Sequence, residues 1–596
     1  ICMCCSMQRC SWWPSDVMGL VLVKTIPARE GKIMDSHNKE PLVVPRFTGC
    51  DLPPIGRLLI QFIPPVAIIA LIVLVLMNPD GVASIIFDMR TYVTGGYTWL
   101  FILYSLFSVA VCAWLVFSKV GKQVRLGGPS AKKEYSNFAW YSMLFACGQG
   151  IGLIFWSVAQ PIMLRNESPV INALEGDVAG GGIVWAYFHW GFTAWAMYCV
   201  VAVCLAYSHH NLGKTLTFRE ATVDILPRWA QGGAGVVVEL LAIMATVLGL
   251  ATSFAFAAMQ FSSGLSSFTG VTSSSTIWLL VIVGLGTATA ISAFFGISKG
   301  MRLVSETNSL LSIFLVVAAF VFGPTLFIIS NITQTFGSYF TNFISMSFWT
   351  DAPSTAVPLE SWQDSWNGWW TVFIWSWVIA FSPFVAGFIA RISRGRTLRE
   401  FVIGVTVIPS LIVMVWIGVL GSAAIYYDDQ TGNGISAAVG ENVSSGLFVM
   451  LESMPFVGSL LLIVATILVA TYYVTSLDAG TYALAEFVSA PKRAGPWFRV
   501  VLVISIAAVA TVLLTVGGSG VVDTVQTGTI LGAFPFSIVI LLMIANTIKR
   551  LLNRSRSIKE LEKVVNNPDP NVELKVDAVG EAKVIANGGS LASGKS

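Results

Sequence analysis

Twelve apolar runs separated by short polar connections decide what this chain can fold into. They lie near 57 to 77, 96 to 118, 137 to 162, 183 to 207, 232 to 262, 276 to 297, 308 to 330, 369 to 390, 402 to 426, 455 to 486, 498 to 516 and 524 to 547. Each is close to or above the roughly 20 residues that a helix needs to cross hydrocarbon. In lipid the backbone must satisfy its own polar groups, so such runs read as helices. The run at 455 to 486 holds no turn signal and reads as one tilted helix. Of 596 residues only 11% are charged, where a soluble domain carries roughly 25%. That excludes an ordinary cytosolic enzyme, a nucleic-acid binder and a disordered regulator, and the net charge of +3 is too small to imply a polyanionic partner.

The basic residues test the span count independently, because cytoplasmic loops concentrate Lys and Arg. They gather in every second connection: Lys119, Lys122, Arg125, Lys132 and Lys133; Lys214, Arg219 and Arg228; Lys299 and Arg302; Arg391, Arg394, Arg396 and Arg399; Lys492, Arg493 and Arg499. The intervening connections hold only Arg90 and Arg165. This alternation puts both termini in the cytoplasm of a plasma-membrane protein. The implied layout is an N-terminal tail at 1–56, two peripheral spans at 57–118, a first unit at 137–330, an outer loop with an interfacial helix at 331–368, a second unit at 369–547 and a C-terminal tail at 548–596.

Nine cysteines imply no disulfide framework, since Cys2, Cys4, Cys5 and Cys10 crowd one end and Cys112, Cys147, Cys199 and Cys204 lie in apolar runs. The terminal group offers a palmitoylation site at most, and residues 1 to 33 read as a leader with Met34 as an alternative start. Sequons begin at Asn166, Asn331 and Asn442 in the outer connections.

Two spans are interrupted. The third carries Gly148, Gln149, Gly150 and Gly152 at its middle, and the eighth carries Ser382, Pro383 and Gly387. Glycine frees the backbone and proline removes a donor, so both places can unwind and offer helix ends to a ligand. Taking spans three to seven and eight to twelve as units of five gives opposite orientations, as an inverted repeat requires, and paired interruptions point to a secondary transporter's site.

Aromatic residues suggest what it binds. On the fourth span Trp190, Trp195 and Tyr198 share an arc of about 140° at ~100° per residue. On the eighth, Trp377, Phe381 and Phe384 share a face beside Pro383. Cation–π attraction supplies about 0.5 to 2 kcal/mol per ring, and a quaternary ammonium brings no donors that need partners. Ordinary packing between helices is the competing reading of the same rings.

The stretch Phe145 to Leu153 with Gln160 and Pro161, the group His189, Trp190 and Gly191 followed by Trp195 and Tyr198, and the run Trp375 to Arg396 resemble the betaine/choline/carnitine transporter family, in order from about 57 to 547. The resemblance implies an all-α integral membrane protein of twelve transmembrane helices. Its fold would be a LeuT-like five-plus-five inverted repeat preceded by two extra helices, and its assembly a homotrimer. It implies a substrate box of Trp190, Trp195, Tyr198, Trp377 and Phe381, and a sodium site of Ala146, Gln149, Tyr472, Thr475 and Ser476. Val378 and Phe381 stand where many members have tryptophan, which thins one wall, and Gln149 stands where the family often has methionine. Thr246 matches a ligand of a second sodium site but Leu250 does not.

The expected function is sodium-coupled import of an onium solute: glycine betaine, choline, carnitine or dimethylsulfoniopropionate. Alternatives are proton coupling or exchange, an amino-acid symporter of the same fold, and a transporter-like osmosensor. No nucleophile with a matching base, metal cluster or phosphate loop suggests an enzyme. Of the few ionisable groups within spans, His189 reads as structural, Asp478 as a support for its segment and Glu239 as solvated near the inner end. The basic stretch from Lys549 to Lys563 offers a contact for anionic membrane lipid.

Overall fold

The computed structural model describes residues 54–566, apart from 149, 166, 171–177, 296–297, 353–364, 490–494 and 517–519, together with 572–576 and 582–586. Eleven helical segments among them are long and apolar enough to cross a membrane. They fall on eleven of the twelve expected runs. The other run, 137 to 162, is divided into two shorter helices, Asn137–Gly148 and Ile151–Met163. The chain is therefore a multi-pass integral membrane protein whose described membrane-spanning part is all helical. The N-terminal cysteines lie outside the described residues.

Burial separates the helices by role. The apolar stretches of Gly180–Asn211 and Trp366–Arg391 are 89% buried, against 22% for Leu58–Met77. The peripheral Pro54–Met77 helix turns Leu58, Phe62, Val66 and Ile69 outward, as a lipid-facing surface requires. Inside, Thr371–Arg391 packs against Phe192–Ala206, Arg228–Thr269 and Val521–Asn566, and Gly458–Ser489 packs against Arg228–Thr269. Short polar motifs start several helices. Asn78 accepts from the Gly81 amide ahead of Pro79. Thr217 and Thr397 accept from the amides of Glu220 and Glu400, each a threonine with glutamate three residues on.

The structure corrects several expectations. Arg90 is not a loop residue: the helix Pro79–Phe117 begins well before its apolar run, and Arg90 is buried within it. Its guanidinium donates to the Asp523 carbonyl at 2.9 Å, Thr527 Oγ1 at 3.1 Å, Gln526 Oε1 at 2.9 Å and the Gly368 carbonyl at 3.3 Å. A fork of donors spread over several acceptors lets a charge sit there. Asn331 is buried and donates to Ser422 Oγ at 3.0 Å, so it cannot carry a glycan. The first half of the expected outer loop, 331–348, belongs to the helix Thr325–Phe348, which packs against Val178–Trp190 and Leu398–Gln430.

Glu239 is buried, not solvated: Oε1 accepts from the Arg219 amide at 3.1 Å and so serves the first turn of Phe218–Thr222. The eighth span is also unbroken, since Thr371–Arg391 runs through Pro383 and Gly387. A proline costs one amide donor and crowds the preceding turn, and tight packing on three neighbouring helices holds the helix together regardless.

The last helix, Val521–Asn566, continues far beyond the apolar run that ends near 547, because neither Gly nor Pro appears between that point and Pro568. Arg550 on it pairs with Asp224 at 2.5 Å, Lys214 joins the same carboxylate, and Asn546 donates to the Ala221 carbonyl at 2.9 Å. An antiparallel hairpin, Val572–Val576 with Ala582–Ala586, follows.

Candidate substrate-binding site

Two discontinuities build the site. The first is at Gly150, which precedes Ile151–Met163 in extended conformation (φ −146°, ψ 178°) and gives its helix no side-chain cap. The Leu153 amide donates to the Gly150 carbonyl at 3.1 Å, and the amides before it lie in the first turn, where a helix offers no acceptor of its own. The second was not foreseen in the sequence. At Gly191 the chain turns (φ −91°, ψ −133°) between Val178–Trp190 and Phe192–Ala206. A Cβ there would stand 2.5 Å from the Tyr187 carbonyl oxygen, so the position requires glycine.

Between these breaks lies a cavity of about 90 Å³, several times the ~10–15 Å³ that one water needs. All five expected box residues, Trp190, Trp195, Tyr198, Trp377 and Phe381, line it, together with Gly150, Gly152 and Ser476. Trp190 and Trp377 meet edge to face with centroids 5.7 Å apart, Trp195 and Tyr198 at 5.8 Å, and Trp377 and Phe381 at 6.4 Å. Gly152 lets the two indoles approach: a Cβ on it would lie 2.8 Å from Trp377 and 3.1 Å from Trp190. Among the described lining residues none is charged.

Sequence reasoning missed Ser253, whose Oγ accepts from Trp377 Nε1 at 3.2 Å. A hydroxyl between Thr252 and Phe254 in an apolar span was the available signal. Phe384, expected on the same aromatic face, lines the cavity, whereas Val385 and Val413 were missed. Val378 lines the cavity as well.

The residues expected to hold sodium come together less fully. Thr475 and Ser476 are both buried on Gly458–Ser489, and Ser476 reaches the cavity. The Thr475 hydroxyl donates to the Thr471 carbonyl at 2.9 Å, which leaves its oxygen lone pairs as acceptors. The Tyr472 hydroxyl is engaged with Ser312 Oγ at 3.0 Å. Ala146 lies in the last turn of Asn137–Gly148, and Gln149 lies outside the described residues. Thr246 back-bonds to the Ala242 carbonyl at 2.7 Å, and Leu250 packs against Gly480.

Residues 59–556 match the model of the betaine/carnitine/choline family of transporters. The chain belongs to this transporter family. The transporter is 34% identical over 500 residues to the glycine betaine transporter OpuD of Bacillus subtilis, covering 83% of this chain and 95% of that one. It is 35% identical over 481 residues to glycine betaine transporter 1 of Vibrio parahaemolyticus, covering 78% and 89%. It is 33% identical over 497 residues to an ectoine/hydroxyectoine transporter of Virgibacillus pantothenticus, covering 81% and 94%. A solved Na+-coupled sialic acid symporter overlays with a TM-score of 0.43 at 16% identity, over 75% of this chain and 86% of that one, too loosely to bear on this transporter's coupling.

Proposed function

We propose that this transporter imports a zwitterionic onium solute of the glycine betaine class, coupled to sodium, by alternating access around the aromatic cavity. The observation that carries the reading is a chamber walled by Trp190, Trp195, Tyr198, Trp377 and Phe381 with no charged side chain among its described lining residues. Ring faces attract a trimethylammonium group without a carboxylate having to be buried. Gly150 and Ile151 also line the chamber, and the solute's carboxylate would lie toward them, at the start of Ile151–Met163. A helix N-terminus favours an anion by about 0.3–1 kcal/mol, more when partly buried, so a carboxylate-bearing betaine suits the chamber better than choline. The glycine betaine and ectoine relatives fit the same description.

The other side of the break supports the sodium coupling proposed here. Asn137–Gly148 ends where Ile151–Met163 begins, and a helix C-terminus offers carbonyls to a cation. With Thr475, Ser476 and the Tyr472 carbonyl it supplies the hard oxygens that a small alkali cation needs. Both termini would be cytoplasmic in the plasma membrane, spans three to seven and eight to twelve would form the inverted repeat, and the assembly would be a trimer.

The test is uptake of labelled glycine betaine, choline, carnitine, dimethylsulfoniopropionate and ectoine into a carrier-deficient host, with and without a sodium gradient. The expected result is sodium-dependent uptake that prefers the carboxylate-bearing solutes. No uptake of any of them overturns the substrate reading; sodium-independent uptake overturns the coupling.

A further inference from the structure

Behind the cavity wall, a chain of hydrogen bonds ties one box ring to two neighbouring helices. Trp190 Nε1 donates to Gln160 Oε1 at 2.8 Å, Gln160 Nε2 lies 2.6 Å from His189 Nδ1, and His189 Nε2 lies 3.1 Å from Thr371 Oγ1. Gln160, His189 and Thr371 are fully buried, on Ile151–Met163, Val178–Trp190 and Thr371–Arg391 respectively.

The indole nitrogen can only donate, so it fixes the direction of the rest. Gln160 Oε1 accepts, its amide nitrogen donates to Nδ1, and the His189 proton sits on Nε2 and is given to Thr371. The imidazole lies among the rings of Trp185, Trp375 and Trp366, with centroids at 5.4, 5.6 and 6.2 Å.

Trp190 needs such a tether. It is the last residue of its helix, and the chain turns at Gly191 immediately after it, so a continuous helical backbone does not set the ring's direction on both sides. Gln160 stands on the helix whose first turn opens on the cavity, and Thr371 begins the helix that carries Trp377. The tether thus refers one wall of the chamber to two of the helices that form its other walls.

We infer that Gln160, His189 and Thr371 are positioning residues that hold the Trp190 indole in its cation-binding orientation before substrate arrives. Their contribution is preorganisation, so it falls on affinity more than on turnover. This rests on the reading of the cavity as an onium site.

The experiment uses the purified full-length transporter in proteoliposomes, with glycine betaine as the probe for equilibrium binding and uptake. His189→Phe keeps a ring among the three indoles and removes both hydrogen bonds, while Gln160→Leu removes the middle link. Each is expected to raise the Kd and KM about 3- to 10-fold, the value of one or two neutral hydrogen bonds, with kcat changed less than twofold. His189→Gln can accept and donate, and should recover most of the affinity. Trp190→Phe lacks the indole donor, so adding Gln160→Leu to it should cost nothing further. Unaltered affinity in both His189→Phe and Gln160→Leu, or full additivity between Gln160→Leu and Trp190→Phe, overturns the positioning role while the substrate reading stands. Absence of glycine betaine binding by the unaltered transporter overturns both. If His189→Phe does not fold, the Gln160 and Trp190 cycle decides alone.

Discussion

The Trp190 indole stands at 76° to that of Trp377, with centroids 5.7 Å apart, and a Cβ on Gly152 would press on both. Three residues from three helices thereby set the width of one end of the cavity.

Replacing Trp377 by alanine removes the ring that touches Trp190, Phe381 and Ser253. For an onium substrate the KM should rise roughly 2- to 30-fold, the equivalent of the ~0.5 to 2 kcal/mol of one cation–π contact, and Trp377→Phe should recover part of it. An amino-acid substrate held through its amine and carboxylate would hardly notice the change. Uptake kinetics of glycine betaine and of a simple amino acid distinguish the two.

Adding one methyl at Gly152 tests the fit from the opposite side. The nearest indole atom lies at 2.8 Å, closer than van der Waals contact, and Trp377 is itself packed on Phe373 at 5.4 Å and Phe256 at 5.5 Å. Gly152→Ala should displace the indoles at a cost of about 1–3 kcal/mol. The expected outcome is a transporter that reaches the membrane with roughly 5- to 150-fold weaker substrate binding, measured by isotope displacement.

Thr475 and Ser476 test coupling. Thr475→Ala and Ser476→Ala should each raise the sodium concentration for half-maximal uptake by about tenfold, while saturating sodium restores most of the rate. Thr475→Ser keeps the oxygen and should stay near the unaltered value. Uptake measured across a sodium titration checks this; identical sodium curves would remove the pair from the site.

Glu220, in the connection between two spans, has a carboxyl raised above its ordinary value of 4.5, chiefly because burial disfavours its charge, with Arg219 and Lys214 opposing. The raised folded-state value means that the fold prefers the protonated acid. Its contribution to stability is therefore complete below about pH 4.5 and lost as pH rises through the raised value. Glu220→Gln should flatten that part of the profile in melting experiments on detergent-solubilised transporter between pH 4 and 8.

The spans and the aromatic box were legible because both are written in residue type: apolar length for one, and rings at helical spacing beside an uncharged break for the other. What lay hidden depended on neighbours that are distant in sequence. Arg90 looked like a loop residue because hydropathy cannot see a helix that starts before its apolar part, and its acceptors lie more than 270 positions away at Gly368, Gln526 and Thr527. Pro383 looked like a break because proline breaks isolated helices, yet its helix is clasped on three sides. Gly191 did break the fourth span, for a steric reason visible only once the Tyr187 carbonyl is in place beside it. Glu239 seemed solvated because its partner is a backbone amide, and no side-chain pattern announces that contact.

That no charged side chain stands among the described lining residues of the cavity has an electrical consequence. A chamber without fixed charge contributes none of its own when the empty carrier reorients, and a betaine with one positive and one negative group adds none when the loaded carrier moves. In the proposed cycle all the charge crossing the membrane belongs to sodium. A membrane potential then supplies about 2.3 kcal/mol per 100 mV for each ion carried, so the current recorded per solute imported counts the coupled ions directly.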